Sequence, residues 1–165
     1  MNYKLDLAWL GYASSYAELS QLRTTQVSCD NLRRDEAARY LAIDPAGDPW
    51  LKEILGSIER NVRTKGSYRR QDVHGIVNRY FADLRPVLAG VYHALTPGGR
   101  FVLVIGDSLL AGTYVPGDLL VARQGAELGF EVASVEVART RRSGQRRSFR
   151  LRESIVTLVK PHRAS

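Results

Sequence analysis

The strongest constraint in this sequence is the run Phe101-Val102-Leu103-Val104-Ile105, set between Thr96-Pro97-Gly98-Gly99 and Gly106. Five consecutive apolar residues, mostly β-branched or aromatic, read as a strand, and their lack of alternation predicts a parallel strand covered on both faces. Such a strand is not expected at an exposed edge. It is preceded by the clearest helical pattern in the chain: Val73, Ile76, Val77, Tyr80, Phe81, Leu84, Val87, Leu88, Val91, Tyr92 and Leu95. These positions follow the 3.6-residue period, with Pro86 inside it predicted to kink or divide the helix. The Pro-Gly-Gly turn ends the helix, because its glycines tolerate the left-handed conformation of a helix terminus.

Around this centre the remaining elements fall into place. Ser15 and Glu18 have capping-box spacing and predict a short helix through about Arg23. Asp30 or Asn31 is positioned to cap a helix carrying Leu32, Arg33, Arg34, Ala37, Ala38, Tyr40 and Leu41, which must end before Asp44-Pro45. Asp48-Pro49-Trp50 reads as an N-cap followed by proline at the first helical position, with Trp50, Ile54, Ile58 and Val62 as the apolar stripe. After the strand, residues 109–115 read as a loop or short turn. Pro116 opens a helix with Leu119, Leu120, Ala122, Ala126 and Leu128 on its buried side. Residues 130–138 and about 152–159 are predicted strands, joined as a long hairpin by an Arg-rich segment.

The chain is therefore expected to be one α/β domain over residues 1–165, mainly helical over 1–95 and strand-helix-strand-strand over 100–161. Its 165 residues, 44% hydrophobic and 25% charged, suffice for one substantial core. A single Cys29 excludes an internal disulfide framework, and it reads as a small apolar residue rather than a nucleophile. His74, His93 and His162 have no metal-ligand spacing, so no metal site is expected. Lys4 and Asp6 interrupt what would be the apolar region of a signal peptide, and no stretch reaches the length of a membrane span. A cytoplasmic protein with no membrane partner is the expectation.

The formal charge of +7 suggests a polyanionic partner, and its distribution is more informative than its size. Arg139, Arg141, Arg142, Arg146, Arg147, Arg150 and Arg152 all fall within residues 139–152, which contain no Asp or Glu. Guanidinium groups make bidentate hydrogen bonds to phosphate, so this segment is a candidate nucleic-acid contact, against the alternative of a solvated basic loop. Arg69 and Arg70 are weaker candidates for the same role. Asp107-Ser108 stands just past the carboxyl end of the buried strand, where α/β proteins place ligand contacts. Asp107 either orients a ligand there or caps the following segment. Glu153 is either an ion-pair partner or a site carboxylate.

The order of helix, Pro-Gly-Gly turn, buried strand, helix and terminal hairpin resembles the C-terminal half of a class I S-adenosylmethionine-dependent methyltransferase. In that fold the last two strands form an antiparallel hairpin beside an otherwise parallel sheet. More specifically, Tyr3, Leu5-Asp6-Leu7-Ala8-Trp9-Leu10-Gly11-Tyr12, Glu18-Leu19, Leu22-Arg23, Val27-Ser28-Cys29 and Asn31 resemble the segment after the Ser-Pro-Pro-Tyr motif of bacterial and phage site-specific DNA amino-methyltransferases. The stretch from Leu95 to Ser108, Glu127-Leu128-Gly129-Phe130, and Arg152 to Pro161 are similar to later strands of the same group. The resemblance implies methyl transfer from S-adenosylmethionine to an exocyclic amine of cytosine (N4) or adenine (N6) in DNA. It also implies an incomplete Rossmann-like sheet and a pocket for an extruded base that Tyr3, Asp107 and Ser108 would line. For Tyr3, core packing beside Trp9 is the alternative.

Two motifs of that group are absent from the sequence: the glycine-rich cofactor turn and the Pro-Pro-aromatic loop. Asp48-Pro49-Trp50 departs from the second by lacking a proline and by opening a helix. No catalytic residue is therefore assigned. The expectation is a truncated gene product, one chain of a split enzyme, or an obligate oligomer, binding cofactor poorly alone. A non-catalytic nucleic-acid-binding module derived from the fold, and a fragment of a small-molecule or protein methyltransferase, are the alternatives.

Overall fold

A computed structural model describes residues 9–24, 27, 48–65, 70–144, 146 and 148–162. Its elements are α1 (Tyr16–Thr24), α2 (Pro49–Lys65), α3 (Val73–Ala94), β1 (Arg100–Gly106), β2 (Ser108–Leu110), β3 (Thr113–Val115), α4 (Gly117–Glu127), β4 (Glu131–Arg142) and β5 (Arg150–Val159). The helix expected after Asn31 lies outside the described residues.

Local chemistry accounts for the helix starts. Ser15 Oγ accepts from the Glu18 N–H, but the Glu18 carboxylate reaches past Ser15 to the backbone N–H and hydroxyl of Ser14. Asp48 Oδ1 accepts from the N–H groups of Trp50 and Leu51, the N-cap expected from the sequence. Burial raises the cost of ionising Asp48. The Arg123 guanidinium and the two backbone donors outweigh that cost and hold the carboxyl below its ordinary value.

The core is one cluster in which Leu51, Ile54, Ile58 and Val62 of α2 meet Val73, Val77, Phe81, Leu84 and Leu88 of α3. Leu120 and Val121 of α4, with Val156 and Leu158 of β5, complete it. Polar ties fix how these layers sit. Arg123 of α4 pairs with Asp48 at the start of α2, and Gln124 Nε2 donates to the Phe81 carbonyl inside the core. Lys160 Nζ donates to the Leu95 carbonyl at the end of α3 and lies 5.0 Å above the Tyr92 ring. Helix α3 is continuous through Pro86, which removes the division from the two expected outcomes, a kink or a division; Pro86 lies on the helix's exposed side with Val87 and Gly90.

The three-stranded sheet has the order β1-β5-β4, and both pairings are antiparallel. The chain returns from β4 through β5, which inserts between β4 and β1. This corrects the reading of β1 as covered on both faces and away from an edge: among the described residues its partner is the antiparallel β5 of the terminal hairpin, and it forms a sheet edge. Phe101, Leu103 and Ile105 face the core, whereas Val102 and Val104 are 57% and 64% exposed. The architecture is mixed α/β, with α4 packed on one face of a small antiparallel sheet. Contact there is so close that a Cβ on Gly125 would stand 2.6 Å from Leu158 Cδ1.

Residues 108–115, expected as a loop or turn, form the hairpin of β2 and β3. Its turn is Ala111-Gly112, with φ of 50° and 79°. Two positive φ values give a turn whose twist suits adjacent strands, and the alanine there hides it from sequence reading. Asn61 and Lys65 of α2 donate to Thr113 Oγ1 and the Ala111 carbonyl, which docks this hairpin.

Two helical glycines separate packing from propensity. Replacing Gly125 by Val is expected to destabilise the fold by about 1–3 kcal/mol through overpacking against Leu158. Gly90→Ala, with nothing within 4 Å of the added Cβ, is expected to stabilise it by roughly 1 kcal/mol. Denaturant unfolding of both variants checks the pair of signs.

Candidate nucleic-acid interface

Strand β1 ends at Gly106, opposite Glu153, but β4 and β5 continue beyond it as a two-stranded ribbon. Its last pairs are Arg139↔Glu153, Thr140↔Arg152, Arg141↔Leu151 and Arg142↔Arg150. The strands thus extend into the segment that the sequence suggested as a connecting loop, leaving only residues 143–149 between them.

The ribbon is anchored by a polar cluster at the end of β1. Arg152 Nε donates to Asp107 Oδ2 at 3.0 Å, and its NH2 donates to Asp118 Oδ1 at 3.0 Å. Both carboxylates are fully buried. Asp118, at the start of α4, also accepts from Ser154 Oγ and from the Leu119 N–H. The Tyr114 hydroxyl of β3 donates to Asp107 Oδ2, and Arg141 NH2 donates to the Asp107 carbonyl. Burial, reinforced by the Asp107 carboxylate, pushes the Tyr114 hydroxyl up to about 12. Asp107 Oδ1 is buried with no hydrogen-bond partner among the described residues.

The segment's arginines therefore divide. Arg139 and Arg141 pair with Glu153, whose carboxyl is held below its ordinary value chiefly by the Arg139 hydrogen bond. Arg152 is occupied by Asp107 and Asp118. Of the carboxylates that answer this arginine run, Glu153 follows it directly, whereas Asp107 and Asp118 lie far upstream in sequence. Arg142, Arg146 and Arg150 are exposed, and no carboxylate among the described residues pairs with them. At the tip, Ser143 is buried and its N–H donates to the Phe149 carbonyl, while the Phe149 ring lies 5.8 Å from Tyr114.

Of the other candidates, Arg70 pairs with Asp72 at the start of α3, and Ser108 opens β2 half-buried. Tyr3, Arg69, Arg147 and Cys29 lie outside the described residues. Sequence reasoning missed Tyr114 and Asp118. An acid at a helix start signals only a cap, and nothing local connects it to an arginine 34 residues later. Among the described residues, no group of three or more His, Cys, Asp or Glu is placed to hold a metal ion, and no helix is long and apolar enough to cross a membrane.

The cofactor implied by the resemblance, S-adenosylmethionine, does not fit at the carboxyl end of β1. Gly117 lies so close to the end of β1 that a Cβ on it would stand 2.7 Å from the Gly106 carbonyl oxygen. Asp107 beside it is buried and committed to Tyr114 and Arg152. No methyl-transfer step is routed through these residues.

Across 180 aligned residues the chain is 23% identical to the Type II methyltransferase M.BsoBI of Geobacillus stearothermophilus. The alignment covers 96% of this chain and 35% of that protein, so the chain spans about a third of its relative's length. No family model matches the chain, and no solved structure matches it.

Removing the shared cation leaves two buried carboxylates uncompensated, so Arg152→Ala is expected to cost roughly 3–5 kcal/mol in chemical denaturation. Burial raises Tyr80 as well, so tyrosine absorbance should show more than one late ionisation, of which the one at about 12 is removed by Tyr114→Phe. Because this group's folded value is raised, its contribution to stability is complete below about pH 10 and lost as the pH rises through the folded value.

Proposed function

We propose that this chain is the C-terminal, DNA-contacting part of an S-adenosylmethionine-dependent DNA amino-methyltransferase acting on cytosine N4 or adenine N6. The observation that carries the reading is the pairing of two features. The chain aligns over 96% of its length with a type II methyltransferase. Its terminal hairpin both completes a sheet beside β1 and projects an arginine-rich ribbon past that strand's carboxyl end.

Arg142, Arg146, Arg147 and Arg150 form the nucleic-acid side in this proposal, with Arg69 as a further basic contact, whereas Arg139, Arg141 and Arg70, first candidates for the same role, are held by Glu153 and Asp72. Tyr3 and Ser108 line part of the pocket for an extruded base, whereas Asp107, fully buried on Tyr114 and Arg152, serves the support rather than the pocket. The cofactor and the loop that grips the target amine belong to a part of the enzyme outside these 165 residues, on the same polypeptide or on a second one. The edge that β1 forms among the described residues and the exposed Val102 and Val104 support such completion, by that part or by another copy of the chain. Catalysis would rest mainly on holding the amine against the methyl donor.

The alternative is a nucleic-acid-binding module without catalysis. Methyl transfer from radiolabelled S-adenosylmethionine to duplex DNA separates the two, using both the 165-residue chain and the protein isolated from its own cells with whatever it binds. Label recovered as an N-methylated cytosine or adenine from the isolated assembly, and none from the chain alone, is the expected result. DNA binding without transfer in either form establishes the second reading. Transfer to protein or to a small molecule contradicts both.

A further inference from the structure

We infer that Arg142 and Arg150 form a two-arginine clamp that closes on a single phosphodiester of the DNA backbone. This rests on the DNA reading above and deepens it. The two residues are directly opposite partners, the last ladder pair before the tip. Directly paired residues of an antiparallel ribbon stand about 5 Å apart and send their side chains to the same face. Like charges in that position repel each other and disfavour the ladder.

Elsewhere on the ribbon the fold removes this penalty. Arg139 and Arg141 share Glu153, and Arg152 lies between Asp107 and Asp118. At Arg142↔Arg150 no described carboxylate does so, and both side chains are exposed. The register thus starts two arginine side chains side by side with no described carboxylate between them. A tetrahedral phosphate offers oxygens to both at once, and guanidinium geometry suits it.

The surroundings keep the two groups in register. The Ser143 N–H to Phe149 carbonyl bond closes the ladder immediately beyond them, and the Phe149 ring rests against Tyr114. Arg152, two residues before the end of the ladder on β5, ties it to buried carboxylates of two other elements. The clamp is therefore mounted on a braced support, so little ordering remains to be done on binding.

The test compares the full 165-residue chain with Arg142→Gln, Arg150→Gln and the double variant, by thermal unfolding without DNA and by duplex binding over a salt series. Arg100→Gln, at the opposite end of β1, is the comparison. Relief of repulsion predicts that each single substitution raises the unfolding midpoint of the free chain while weakening DNA binding. The double variant should flatten the slope of log affinity against log salt by about 0.9, the value for one duplex phosphate. The loss should be equal on duplexes of unrelated sequence.

A lowered midpoint would show that the arginines stabilise the ribbon, overturning the inference. So would flattening by about 1.8, which means two separate phosphates, or a loss confined to particular sequences, which means base contacts. Unaltered DNA affinity in the double variant also overturns it while leaving the DNA reading standing. Absence of DNA binding by the unsubstituted chain overturns the reading and the inference together.

Discussion

The position of Arg152 between Asp107 and Asp118 is the constraint on which the functional end of this molecule depends. One guanidinium joins the residue after β1, the first turn of α4 and the middle strand of the sheet. A pair of buried carboxylates on separate elements is unfavourable by itself, since each loses its hydration and each repels the other. With the arginine between them, the same charges force β5 to run where it does. Ser154 Oγ and the Leu119 N–H then occupy more of the acceptor capacity of Asp118.

From that anchor the ribbon gains its direction and its division of labour. Arg141 bonds the Asp107 carbonyl, Tyr114 reaches the Asp107 carboxylate, and Phe149 meets Tyr114, so the tip is braced through the β2–β3 hairpin as well as through its own ladder. Basic residues near the base of the ribbon are spent on structure. Those at its end are left for a partner. In the proposed reading the basic segment is both a support and a contact surface, and the geometry divides the two.

Much of the architecture was legible because it follows local rules. The Asp48-Pro49 helix start, the long amphipathic helix, the glycine-bounded strand and the terminal hairpin all stand where capping, periodicity and alternation put them. What failed was neighbour identity. The run Phe101 to Ile105 is apolar on both faces, yet Val102 and Val104 are exposed because no described element packs on their face of the sheet. The β2–β3 hairpin was hidden by an alanine in a conformation usually given to asparagine or glycine. At the candidate site, the arginine run was visible, but its division was not. Glu153, Asp107 and Asp118 lie outside the run, and their pairing depends on the register of strands brought together only by folding.

Hydrogen exchange of the 165-residue chain, with and without duplex DNA, tests most directly the claim that a braced ribbon presents its end arginines to nucleic acid. The account predicts slow exchange along residues 139–142 and 150–159 in the free protein, as expected of a ladder tied into the core, with DNA adding protection at residues 142–150. Fast exchange at residues 139–142 and 150–152 in both states would contradict it, because the arginines would then be carried on an unstructured loop.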